Sequence, residues 1–275
     1  MVAKQNQDWI VALIAVPRTG SNFLCHLLNH HPLITFYYEI FHPDKFYIGQ
    51  ENHHLKIIKY INHKYSLDFA NLEDINLIKW IYNNPTQLLD ILKKLTPKKY
   101  MGFKLFPDHL DLQTIETAII KNRNIKKILI KRNLLDAYIS HEIAIKTNKW
   151  NQLNTSGICI SLSIENFAKW VDWAEQWYQF FENNSSLTKE KYFVLHYEDI
   201  HEHKTNTEKL IYLSNFLSDI GLGTSKKIHL PNVDDSSIIP RQDTREKISD
   251  KITNYQEFTE KAKDKGLLKY LVEAG

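Results

Sequence analysis

The strongest constraint on this chain lies near its beginning, where Ile10-Val-Ala-Leu-Ile-Ala-Val16 is continuously apolar, rich in β-branched residues and bounded by Pro17. A run that is apolar on both faces reads as a strand buried between two layers, the pattern of a parallel sheet. Directly behind it, Thr19-Gly20-Ser21 supplies turn and helix-capping chemistry, and Phe23, Leu24, Leu27 and Leu28 recur at helical spacing until His31-Pro32. The opening therefore predicts strand, tight loop and helix. An anion suits such a junction, because the first N–H groups of a helix lack intrahelical partners and carry its positive end.

Further apolar runs at Tyr100 to Leu105, Lys127 to Ile130 and Tyr192 to His196 are flanked by charge and read as core strands. Between them lie amphipathic stretches: Leu134 to Lys146, Ile164 to Phe181 with Trp170, Trp173 and Trp177, and Glu208 to Leu217. Strands alternating with helices predict an α/β fold of three layers, a central and mostly parallel sheet flanked by helices. The 275 residues, 43% hydrophobic, suffice for one core and contain no repeat or linker. A single domain, 1–275, is expected, with a helical insertion at about 47–95 in which Pro85 opens a helix. Lys226 to Glu246 is the candidate for a long functional loop.

Thirty-five basic against 32 acidic residues give a net charge of +3, and the charges alternate in short blocks. Nucleic acid is therefore not an expected partner, whereas a small anion is compatible. Two cysteines, Cys25 and Cys159, cannot build a disulfide framework and point to a reducing, cytoplasmic setting. The early apolar run of seven residues predicts neither a signal peptide nor a membrane span. His26 and His30 stand one helical turn apart beside Cys25, but no carboxylate completes the pattern and no metal site is expected.

In Val16-Pro-Arg-Thr-Gly-Ser-Asn-Phe-Leu24, Arg18 adds a fixed charge with a planar donor fork, and Ser21 and Asn22 add side-chain donors. An ordinary capped helix accounts for the same residues if nothing else in the chain answers them. The Gly-x-x-x-x-Gly-Lys-Ser/Thr loop of ATP and GTP hydrolases is absent. A sulfuryl group carries less charge than a terminal phosphoryl, so cationic side chains and backbone amides serve it without a metal. Lys127-Ile-Leu-Ile-Lys-Arg-Asn-Leu-Leu-Asp-Ala-Tyr-Ile-Ser140 repeats the logic: a buried strand delivers Arg132 at its end and a helix carries Ser140 eight positions on.

These two segments resemble the donor-binding motifs of sulfotransferases that use 3′-phosphoadenosine 5′-phosphosulfate (PAPS). The first loop is similar to the Arg-bearing branch, which includes tyrosylprotein and bacterial carbohydrate sulfotransferases, with Asn22 where Thr is frequent; in the second, Leu134 replaces a usual Pro. The resemblance implies a P-loop-like fold, PAPS as donor with no metal required, and donor contacts from Arg18, Thr19, Gly20, Ser21, Asn22, Phe23, Arg132 and Ser140. It also implies that Tyr197, at the end of Tyr192-Phe-Val-Leu-His-Tyr-Glu-Asp-Ile200, meets the nucleotide, with Glu198 and Asp199 as scaffold. Arg241 and Gln242 are similar to the closing segment, Arg241 covering the 3′-phosphate, with Arg245 a weaker candidate.

Glu39, 21 positions after Arg18 in the aromatic segment Ile34 to Phe41, stands at the offset of the family's catalytic Glu. Desolvation there would raise its carboxyl as a general base requires, with Arg18 opposing the rise. Lys104, or in its place His109, would assist the leaving group. The expected reaction is transfer of a sulfuryl group to a hydroxyl of a sugar, lipid, phenol or peptide tyrosine, with Phe36 to Tyr38 and the insertion shaping the acceptor pocket. A kinase with a degenerate loop and a non-catalytic phosphonucleotide-binding protein are the competing readings.

Overall fold

Ile10–Ile14 forms β1, and every residue of it is buried because it is the middle strand of a five-stranded sheet. The computed structural model describes residues 9–49, 51–150, 154–188, 191–223, 228–238, 242–245 and 247–271. In chain order the elements are β1, α1 (Ser21–Asn29), β2 (Ile34–Phe36), α2 (Glu51–Tyr65), α3 (Ile75–Asn83), α4 (Pro85–Leu95), β3 (Tyr100–Leu105), α5 (Leu112–Ile115) running into a π-helical turn at Glu116–Ile120, β4 (Ile125–Lys131), α6 (Leu134–Thr147), α7 (Ile164–Thr188), β5 (Tyr192–His196), α8 (Tyr197–His201), α9 (Asn206–Asp219) and α10 (Tyr255–Asp264). The strand order is β2-β3-β1-β4-β5 and every pairing is parallel, so the sheet is wholly rather than mostly parallel.

The period of two along a strand divides β1 between two cores. Ile10, Ala12 and Ile14 pack with residues of α2, α3, α4, α6, α7 and α10 on one side. Val11 and Leu13 pack with Leu24, Leu27 and Leu28 of α1 and Leu210, Leu213 and Leu217 of α9 on the other. Trp177 of α7 buries its ring and donates Nε1–H to the Ala15 carbonyl at 3.1 Å, which fixes that helix against the end of β1. Among the described residues no helix is long and apolar enough to cross a membrane.

The short edge strand β2 is held from both sides. Asn29, ending α1, donates to the Phe36 carbonyl at 2.9 Å and accepts from the Phe36 N–H at 2.7 Å. Across the ladder Phe36 faces Gly102 of β3, and a Cβ there would lie 2.1 Å from Cε2 of the Phe36 ring. Gly102→Ala therefore pushes β2 outward and should cost about 1–3 kcal/mol in chemical denaturation, the range for overpacking a core. An unchanged unfolding midpoint would show that the ring does not rest on the strand.

Candidate active site

All strands run the same way, so their five C-terminal ends open on one edge of the sheet, where ligands of open α/β sheets bind. Arg18 follows β1, Glu39 follows β2, Lys104 is the penultimate residue of β3, Arg132 immediately follows β4 and Tyr197 immediately follows β5. Five residues drawn from 180 positions of sequence thus line a single cleft of about 970 Å³, joined there by Gly20, Ser21, Asn22, Phe23, Ser140 and Gln242.

The loop after β1 is shaped by two left-handed residues, Arg18 (φ 69°) and Gly20 (φ 83°). At Gly20 a Cβ would stand 2.1 Å from Cε2 of Tyr197, so only glycine lets that ring close on the loop. Gly20 is the N-cap of α1 and caps it with no side chain. The capping expected of Thr19 or Ser21 is not made, because Thr19 is fully buried and its Oγ1 donates back to the Val16 carbonyl at 2.8 Å. Thr19 alone of the first-loop residues keeps its side chain out of the cleft.

The Arg18 guanidinium donates in three directions: Nε–H to Ser140 Oγ at 3.0 Å, and its two terminal nitrogens to the carbonyl of Trp150 and to Oε1 of Gln242. Burial, with the charge of Arg132, pushes it down to about 10 against the opposing effect of Tyr197, so it stays charged at neutral pH. Arg132 donates to the backbone carbonyl of Arg18 at 2.8 Å and lies 4.6 Å over the Tyr197 ring, a cation–π contact. Asn133 accepts from the N–H groups of Leu135 and Asp136 at 2.9 and 3.1 Å, so α6 begins cleanly with Leu134 in place of a proline. Glu198 accepts from the Asn133 N–H at 2.9 Å, the scaffold part expected of it.

Glu39 is delivered by extension of the sheet. Lys104 N–H donates to the Tyr38 carbonyl at 3.0 Å, which carries the β2–β3 pairing to the residue before it. Lys104 Nζ lies 2.7 Å from Glu39 Oε1 and also donates to Asn22 Oδ1, while its side chain is only 1% exposed. His109 Nδ1 accepts from the Phe106 N–H at 3.3 Å, which leaves its Nε2–H toward Glu39 Oε2, a long contact of 3.5 Å. The expected rise of the Glu39 carboxyl is reversed. Burial does push it up, but the nearby His109 imidazole and the charge and hydrogen bond of Lys104 outweigh burial and hold it at about 2. The opposing cation comes from β3, not from Arg18.

Two further expectations change. Phe36 to Tyr38 are buried in the cores, and among the described residues none between His42 and Lys104 lines the cleft, so neither that segment nor the helices between residues 47 and 95 reaches it. Residues of α6 and α7 line it as well. Arg245 binds Asp243 at 2.7 Å and the carbonyls of Thr155, Ile158 and Asp250 at 2.8 to 3.0 Å, so it staples the closing segment. Arg241 lies outside the described residues. Sequence reasoning also missed Asp136, which pairs with buried Lys251 at 2.7 Å and stands 3.9 Å from Arg132. Among the described residues no group of three or more His, Cys, Asp and Glu side chains is placed to hold a metal.

The depressed Glu39 carboxyl carries a pH signature. A group lowered from 4.5 to about 2 contributes stability above its unfolded value and loses it as pH falls toward its folded value. Denaturation midpoints should therefore fall between about pH 5 and pH 3 in the wild type, and less steeply in Glu39→Gln. Parallel acid profiles for the two proteins would contradict the ion pair.

A family model described as the sulfotransferase family matches residues 11–214, the span from β1 into α9. Among solved structures the chain is similar to a sulfotransferase from Alicyclobacillus acidocaldarius, at 13% identity and a TM-score of 0.46, over 98% of this chain and 95% of that one. No curated protein sequence matches it. The family match takes in both cationic segments, the Glu39 carboxylate and the Lys104 strand, and the chain belongs to the sulfotransferase family, whose reaction is sulfuryl transfer.

Proposed function

We propose that the chain transfers the sulfuryl group of PAPS to a hydroxyl acceptor by in-line displacement, with Glu39 as general base. The observation that carries this reading is the meeting of Arg18 and Arg132 in one cleft that is also lined by the Glu39–Lys104 pair. Two cationic anchors suit a donor that is anionic at both its 5′ and 3′ ends. When bound, PAPS supplies the sulfuryl group and leaves as 3′,5′-adenosine bisphosphate, its sulfur–oxygen bond to the 5′-phosphate breaking as the acceptor oxygen bonds to sulfur.

Arg18, Ser21, Asn22 and the first-turn amides of α1 hold the phosphosulfate end, in the way helix N-termini hold anions. Arg132, Ser140 and Tyr197 hold the 3′-phosphate end, with Gln242 closing over them. Lys104 neutralises charge on the leaving oxygen. Glu39 accepts the proton that the acceptor hydroxyl gives up, and His109 keeps its carboxylate turned toward the cleft. A carboxyl at about 2 is a feeble base while Lys104 sits on it. As Lys104 turns to the leaving oxygen, the burial of Glu39 is no longer outweighed to the same degree, and its basicity rises at the step that needs it.

Differential scanning calorimetry with 3′,5′-adenosine bisphosphate in EDTA should raise the melting temperature by several degrees, with ADP doing much less. In steady-state assays Glu39→Gln should then lose on the order of 10²–10⁴-fold in kcat while keeping its affinity for the bisphosphate. Stabilisation by ADP alone would point to a kinase-like nucleotide site, and full turnover of Glu39→Gln would remove the base from the mechanism.

A further inference from the structure

α7 lends the cleft a face to which the donor reading assigns no residue. Four of its lining residues, Asn166, Lys169, Trp170 and Trp173, come from α7 at the i, i+3, i+4, i+7 positions that make one helix face. The same helix packs a separate stripe, Phe167, Val171, Ala174, Tyr178 and Phe181, into the core. Trp170 is buried and belongs to that core as well, but Trp173 does not: it is 38% exposed, and Trp150, on the loop after α6, is 44% exposed.

The rings form a connected run of tilted and edge-on contacts. Trp173 lies 5.0 Å from Trp170 between centroids, Trp170 lies 4.5 Å from His141 of α6, and His141 lies 5.7 Å from Trp150. Trp170 is 9% exposed, and its indole N–H has no acceptor among the described residues. A buried donor without a partner is costly, and a ligand hydroxyl would relieve it. Around this shelf stand an amide, an amine and a carboxylate, from Asn166, Lys169 and Glu142.

We infer that this α6–α7 shelf seats the acceptor, and that the acceptor is a polyhydroxylated ring, a sugar. The inference rests on the sulfuryl-transfer reading above and narrows it. An indole face takes the flat C–H side of a pyranose, while groups that donate and accept hydrogen bonds at the shelf's edge answer its hydroxyls. A long alkyl chain would use an aliphatic tunnel and would leave Asn166, Lys169 and Glu142 desolvated without partners. A simple phenol would use the rings but not the polar rim.

Two measurements separate this inference from the one beneath it. Titration of the full chain with methyl glycosides and disaccharides, read by tryptophan fluorescence without donor, should show saturable quenching that Trp173→Ala weakens roughly tenfold and Trp173→Tyr largely restores. In turnover with PAPS, Trp173→Ala should raise KM for the sugar by a similar factor and leave KM for PAPS within about twofold. Sugar binding without sulfuryl transfer would sink the transfer reading and keep the shelf. Turnover of phenols or long-chain alcohols with sugars inert, or a sugar KM that ignores Trp173→Ala, would overturn the shelf and keep the transfer.

Discussion

The hydrogen bond from the Arg132 guanidinium to the backbone carbonyl of Arg18 is the contact on which the rest of the site depends. It joins the loop after β1 to the end of β4, neighbouring strands of a parallel sheet, and it does so with a positive charge. Burial first, and then the positive charge of Arg132, lower Arg18. The pair is tolerable because the protein surrounds it with acceptors: Ser140, the Trp150 carbonyl and Gln242 on Arg18, Asp136 and the face of Tyr197 on Arg132.

Arg18 also ties the two halves of the cleft together. One side chain reaches α6 through Ser140, the following loop through Trp150 and the closing segment through Gln242. The Gln242 carbonyl in turn accepts from the Thr155 N–H at 2.7 Å. A ligand anion that draws on the Arg18 donors therefore competes with contacts that position Trp150, one end of the aromatic shelf. On our reading, donor and acceptor are felt by the same residue.

How much of this was legible in the letters depends on the range of the interaction. β1, β3 and β4 were legible because strands buried in a parallel sheet carry a continuous apolar run, β5, a partly buried edge strand, because it keeps a short one, and Arg18 and Arg132 because each stands where such a run gives way to a helix. That the insertion at about 47–95 is helical, with a helix opened by Pro85, followed from local pattern, but that it leaves the cleft to α6 and α7 did not. Partnerships between distant residues carry no local signal: Lys104 with Asn22 across 82 positions, Lys251 with Asp136 across 115, Arg18 with Trp150 across 132. The Glu39 carboxyl shows the consequence. Its aromatic neighbours announced burial and hence an upward shift, whereas the cation that reverses the shift arrives from another strand.

The most direct test of the two-anchor account is calorimetric titration of 3′,5′-adenosine bisphosphate into the wild type, Arg18→Ala, Arg132→Ala and the double variant. If both guanidiniums grip one ligand, each single change should weaken binding by about tenfold or more, and, because Arg132 is hydrogen-bonded to the Arg18 backbone, the double change should differ from the product of the singles. A Kd that stays at the wild-type value in either single variant would mean that the ligand does not bridge the two arginines, and the account would be contradicted.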